Sequence, residues 1–180
     1  PSVVLSLGLG LALLVALGSI DGDLRNQISS NIPAEAPDFF FVDIQSAEFE
    51  EFKTEIAVAA PGGKLQTTPM LRGRIVSINE VPASEITPKE GGEWVLRGDR
   101  GITYADTLPP NASLQDGKWW AENHSGENLV SFAAEEADEV GVAVGDTLTV
   151  NVLGRNVTAR VANTRNVEWQ SMSMNFVMVF

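Results

Sequence analysis

The sequence predicts an α+β protein, with an N-terminal transmembrane helix followed by a domain built from a βαβ lobe and a β-rich lobe. Three observations carry that expectation. Val3 to Ile20 runs for eighteen residues without a charge. Apolar stretches at 38–44 and 69–81 flank an amphipathic one at 46–59, the order of a strand–helix–strand unit. From Pro82 onward, short β-rich runs alternate with glycine and proline turns. The expected division is 1–28 for the membrane helix with its extension and 29–180 for the domain. Within the domain, 36–81 plus the C-terminal strand form the α/β lobe, and about 82–170 form the β-rich lobe.

The first element is VVLSLGLGLALLVALGSI. At about 1.5 Å per residue it covers roughly 27 Å, close to the roughly 30 Å of bilayer hydrocarbon. Ser6 and Gly10, and Ala12 and Ala16, have the small-xxx-small spacing that lets membrane helices approach. A secretory signal peptide is the alternative, with Ala16-Leu17-Gly18 as its cleavage site, but no basic region precedes it. Leu17, Ile20, Leu24 and Ile28 keep helical spacing beyond the apolar run, which favours one helix from Val3 to Ile28. Asp21, Asp23 and a lone Arg25 lack the basic cluster of a cytoplasmic flank, so the domain is expected outside the cytoplasm. The chain opens on Pro1 without an initiator Met and reads as a fragment.

After a polar linker at Ser29–Pro37, Asp38–Ile44 (DFFFVDI) reads as a strand buried on both faces. Ser46 is placed to cap a helix reaching Ala59, with Glu48 and Glu50 in its first turn and Phe49, Phe52 and Ile56 on one face. Pro61-Gly62-Gly63 stops it. Pro69–Val81 is a long strand whose alternation changes phase midway, the mark of a bulge. Short strands follow at Glu93–Arg97, Ile102–Ala105 and Leu129–Phe132, then a short acidic helix at Ala133–Val140. Thr147–Leu153 and Val157–Ala162 form a hairpin around Gly154-Arg155. The closing MSMNFVMVF is a strand.

Composition removes several kinds of chemistry. Twelve Lys and Arg against 24 Asp and Glu give a net charge of −12, which repels phosphate backbones and excludes nucleic-acid binding. There is no cysteine, and so no disulfide, thiol nucleophile or thiolate metal site. The single histidine, His124, has no HExxH or second-histidine partner and reads as a surface loop residue. Glu135, Glu136, Asp138 and Glu139 offer carboxylates for acid–base work, but their consecutive helical positions suit a solvated face. Asp21-Gly22-Asp23 resembles the start of a calcium loop without the later ligands. There is no GxxxxGK[ST] phosphate loop. Sequons stand at Asn111, Asn123 and Asn156. Trp119-Trp120, if on a strand, would point to opposite faces, one a contact anchor, although two core residues is the simpler assignment. No catalytic, metal or cofactor residue is assigned.

An ordered set of segments resembles the FtsX/MacB-like permease family of ABC transporters. The set is LGLGLALLVAL leading into DGDLRNQI, then APDFFFVDIQ, MLRGRIVSINEV, DGKWW, the run from VSFAAEEADEVGVAVGDTL to VANTRNVEW, and NFVMVF. Within it, Glu139–Leu148 resembles the family's LGL-x-x-GD-x-L turn, with Val140 where members carry Leu. The similarity extends over nearly the whole chain, and the nearest subgroup is the long bacterial permeases tied to lipid- or lysophospholipase-linked export. It implies a MacB-like periplasmic domain with a porter-like βαβ lobe, in a non-catalytic subunit at the bacterial inner membrane. ATP hydrolysis would reside on a cytoplasmic ATP-binding subunit as partner, with a periplasmic protein or lipid as further partners. The domain would transmit ATP-driven motion for export or lipid handling. The alternative is a membrane-anchored extracytoplasmic domain that binds a ligand or partner, as a sensor or adaptor.

Overall fold

The protein is described by a computed structural model covering residues 7–20, 37–169 and 173–180, which fall into two units. In the described part of the first unit, 7–20 and 37–55, residues 7–20 form helix α1 and the N-terminal part of helix α2 (Phe49–Ala59) follows. The described part of the second unit, 56–169 and 173–180, holds every strand.

Those strands are β1 (Leu71–Ile78), β2 (Val81–Pro82), β3 (Arg100–Thr103), β4 (Ala112–Gly117), β5 (Leu129–Ala133), β6 (Thr147–Val152), β7 (Arg155–Val167) and β8 (Met178–Val179). Pairing runs β1–β3–β8–β5–β7–β6 and back to β1, a closed six-stranded barrel. The β3–β8 and β5–β7 pairs are parallel and the other four antiparallel. Closure leaves the six strands without a fully open edge. β2 adds to β1, and β4 adds to the second half of β7.

Local chemistry explains the hairpins. Asn79-Glu80 joins β1 to β2 with φ of 50° and 67°, and Leu153-Gly154 joins β6 to β7 with φ of 50° and 84°. Positive φ at both central residues is the two-residue turn whose twist suits paired strands. The expected β6–β7 hairpin is present, its turn one residue earlier than the sequence suggested. The phase change in β1 is a register shift between Ile75 and Ser77 against β6, so the expected bulge is present too. Alternation then fills the interior: Leu148 and Val150 from β6, Ala159 and Val161 from β7, Ile75 from β1. Helix α4 (Ala134–Val140) covers part of the barrel with Ala137 and Val140, and ends on Gly141 at φ 73°. There a left-handed residue lets the N–H of Val142 reach the carbonyl of Ala137 at 2.8 Å.

Several expectations are corrected. The N-terminal transmembrane helix is not found, since no helix among the described residues is long and apolar enough to cross a membrane. The expected continuation to Ile28, the Ser29–Pro37 linker as far as residue 36, and Asp21-Gly22-Asp23 lie outside the described residues. The MacB-like βαβ lobe is not formed either. Asp38–Ile44 is irregular and exposed, with Phe39 at 78% and Val42 at 75%. Its expected sheet partner is already committed, because β1 pairs with β3 and β2 on one edge and with β6 on the other. Neither edge of β1 remains for another strand. Helix α2 forms, but none of its residues is fully buried; Phe49, Phe52 and Ile56 are half-covered, and Phe41 meets the Phe52 ring edge-on at 5.1 Å. The expected strand at Glu93–Arg97 is instead the short helix α3 (Glu93–Leu96), which buries Val95 in the common core. The closing strand shrinks to β8.

Candidate functional site

Where β1 and β5 begin and β3 and β6 end, the second unit holds a cleft of about 410 Å³. Its apolar wall is made by Leu71, Ile102, Leu129, Val152, Val157 and Phe180. Two connections frame it, one at 104–106 and one at 120–128. The tryptophan pair ties the first of these down. Trp119 Nε1 donates to the carbonyl of Asp106 at 3.0 Å, and Trp120 Nε1 donates to that of Ala105 at 3.1 Å. The two indoles stack with centroids 4.1 Å apart, and both are half-buried. They are not on a strand, so neither the opposite-face arrangement nor a fully buried pair is formed. Both N–H groups are consumed by the chain, so neither is free to donate to a molecule in the cleft.

Charge on the cleft is one-sided. Asp106, Glu122 and Glu127 line it, with His124, and neither lysine nor arginine does. Glu127 is paired with Arg160. His124 is exposed, as expected of a loop residue, and its Nε2 lies 2.9 Å from the carbonyl of Glu127, which folds the 124–127 turn. Among the described residues, no group of three or more His, Asp or Glu is placed to hold a metal ion.

A second polar centre lies inside the barrel wall. Continuing inward from Ala159 and Val161, β7 places Asn163 and Arg165 in the interior, where Arg165 is 2% exposed. Arg165 Nη1 donates to the carbonyl of Ser131 at 2.7 Å and to its Oγ at 3.1 Å, and Nη2 donates to the carbonyl of Phe176. Ser131 Oγ in turn donates to Asn163 Oδ1, and Asn163 Nδ2 donates to the carbonyl of Lys118 at 3.1 Å. One guanidinium thus links β7, β5 and the residue two before β8, across the part of the ring where the strands are shortest. Burial lowers its pKa to about 10, while the field of Glu136 raises it.

Glu136 corrects the solvated-face reading of the acidic helix. Glu135 and Asp138 are exposed, but Glu136 is buried at 4% exposure, with Oε2 lacking a hydrogen-bond partner. Desolvation raises its pKa, and so do Glu135 and Glu139; its own backbone N–H and the Trp169 side chain act the other way. Asp138 pairs with Lys89 at 2.6 Å. The carboxylates are therefore not gathered for acid–base work: one is buried and another is tied to a lysine.

The chain is 28% identical over 176 residues, 96% of its length, to an uncharacterized ABC transporter permease, YbbP, of Escherichia coli (strain K12). That likeness supports an ABC transporter permease. It does not reach the FtsX/MacB-like subgroup. The chain spans about one fifth of that relative's length. No family model matches the chain, and no solved structure does.

Of the sequons, Asn111 is half-buried and hydrogen-bonded to Asn175, Asn156 accepts from Asn151 at 2.7 Å, and Asn123 is exposed in the cleft's second connection. Sequence reasoning missed Arg165 and Asn163, although extending the in–out period of VTARVA by two steps lands on both. It missed the cleft entirely, because that depends on ring closure through the β1–β6 and β3–β8 pairs, whose strands are far apart in the sequence.

Proposed function

We propose that this chain is a non-catalytic, extracytoplasmic domain of an ABC transporter permease that takes part in export or lipid handling at the inner membrane. The observation that carries the reading is the likeness to a permease along 96% of the chain. The domain works by contact, while ATP is hydrolysed on a separate cytoplasmic ATP-binding subunit. Its apolar-walled cleft gives the contact role a place, and the buried Arg165 network gives it a stiff frame.

The test uses the full-length protein in its own cells. Replacing residues 37–180 of this chain by a flexible Gly-Ser linker is expected to abolish the transport-linked phenotype while ATP hydrolysis by the partner subunit survives. An unchanged phenotype would remove the domain from the transport cycle.

A further inference from the structure

We infer that the cleft between the 104–106 and 120–128 connections binds an organic cation with an apolar body. The assignment rests on the cleft and stands whether or not the permease reading holds. About 410 Å³ lies within the range of sites that hold small molecules, and such sites combine apolar walls with a few placed polar groups. Here the wall is aliphatic, with Phe180. Every charged residue lining it is acidic, and among the described residues neither Asp106 nor Glu122 forms an ion pair. An anion entering would be repelled by the acidic residues, and a neutral apolar molecule would gain nothing from them. A cation satisfies both wall and rim.

Aromatic groups support the same ligand class. Tyr104 and Trp120 line the cleft, and ring faces attract a cation within about 6 Å of the centroid. Trp120 cannot offer its N–H, which is bonded to Ala105, and Trp119 already stacks upon it. Those bonds hold the 104–106 connection before any ligand arrives, so little ordering is required on binding.

Tetraphenylphosphonium and tetraphenylborate share one shape and carry opposite charges. Titrated calorimetrically into the full chain, the phosphonium is expected to bind at one saturable site and to quench tryptophan fluorescence. The borate is expected to bind at least tenfold more weakly. The double variant D106N/E122Q should weaken phosphonium binding by about tenfold, the sum of two modest charge contacts. E135Q removes one negative charge from the exposed face of α4, away from the cleft, and should leave affinity unchanged. Because all three changed positions are exposed, folding is retained, and unchanged circular dichroism verifies it. Equal binding of phosphonium and borate would overturn the inference. So would an undiminished affinity in D106N/E122Q, or a loss in E135Q as large as in the double variant, which would mark general attraction to an acidic protein.

Discussion

Replacing Arg165 separates two effects that oppose each other at one buried side chain. It donates three hydrogen bonds, to the carbonyl and Oγ of Ser131 and to the carbonyl of Phe176. Bonds to a charged donor contribute about 1.5–3 kcal/mol each, so their joint loss is on the order of 5 kcal/mol. Burying the guanidinium works the other way. Its pKa falls to about 10, and at about 1.4 kcal/mol per pK step the buried charge costs roughly 3 kcal/mol. Arg165→Met removes both contributions and nearly keeps the volume, so a net loss of about 2 kcal/mol is expected. Arg165→Ala adds a cavity and should lose about 4–5 kcal/mol. Arg165→Lys keeps the buried charge but not the planar fork, and should lose at least as much as the methionine variant. Urea unfolding followed by tryptophan fluorescence gives all three values. A lysine variant as stable as the parent, or a methionine variant that loses more than the alanine one, would refute this reasoning.

Glu136→Gln should raise the melting temperature at pH 7. The folded-state pKa of Glu136 lies above its unfolded value, so its contribution to stability is full below the unfolded pKa and is lost as pH rises through the folded one. The advantage of the glutamine variant should therefore shrink as pH falls towards 4, and a gain that is flat with pH would contradict the assignment. Phe132 is fully buried in the barrel core while Phe52 is only half-covered. Phe132→Ala should lose about 3–5 kcal/mol and Phe52→Ala clearly less, measured by the same unfolding experiment. Gly117→Ala should destabilise the protein, because at φ 79° an added Cβ would stand 2.8 Å from the Cα of Asn163. A shift in midpoint too small to measure would mean that β4 is free to move off β7.

Local rules recovered the elements whose fate is decided locally. The β6–β7 hairpin follows from alternation on either side of Gly154-Arg155, with its turn one residue earlier, the β1 bulge from a phase change midway along the strand, and α4 from its spacing and the glycine that ends it. Asp38–Ile44 failed for a non-local reason. Three consecutive phenylalanines meet every compositional test for a strand, but a strand also needs a free edge, and the barrel closes both edges of β1. Glu93–Arg97 is too short for periodicity to choose between strand and helix. Its geometry is set by packing Val95 into the core beside α4. The mistaken reading of Glu136 has the same origin: on an isolated acidic helix it would be solvated, and only the position of α4 against β5 and β7 buries it. The cleft was least visible of all, since its wall draws on Leu71, Leu129, Val152 and Phe180, which no sequence window contains together.

The central claim, that this chain is a domain of an ABC transporter permease without ATP chemistry of its own, is tested most directly by ATP hydrolysis. The full-length protein, purified from membranes together with its cognate ATP-binding subunit, is expected to hydrolyse ATP in strict dependence on that subunit. A complex lacking residues 37–180 of this chain should still do so. Failure of the full-length protein to associate with any ATP-binding subunit, or hydrolysis that disappears with residues 37–180 alone, would contradict the account.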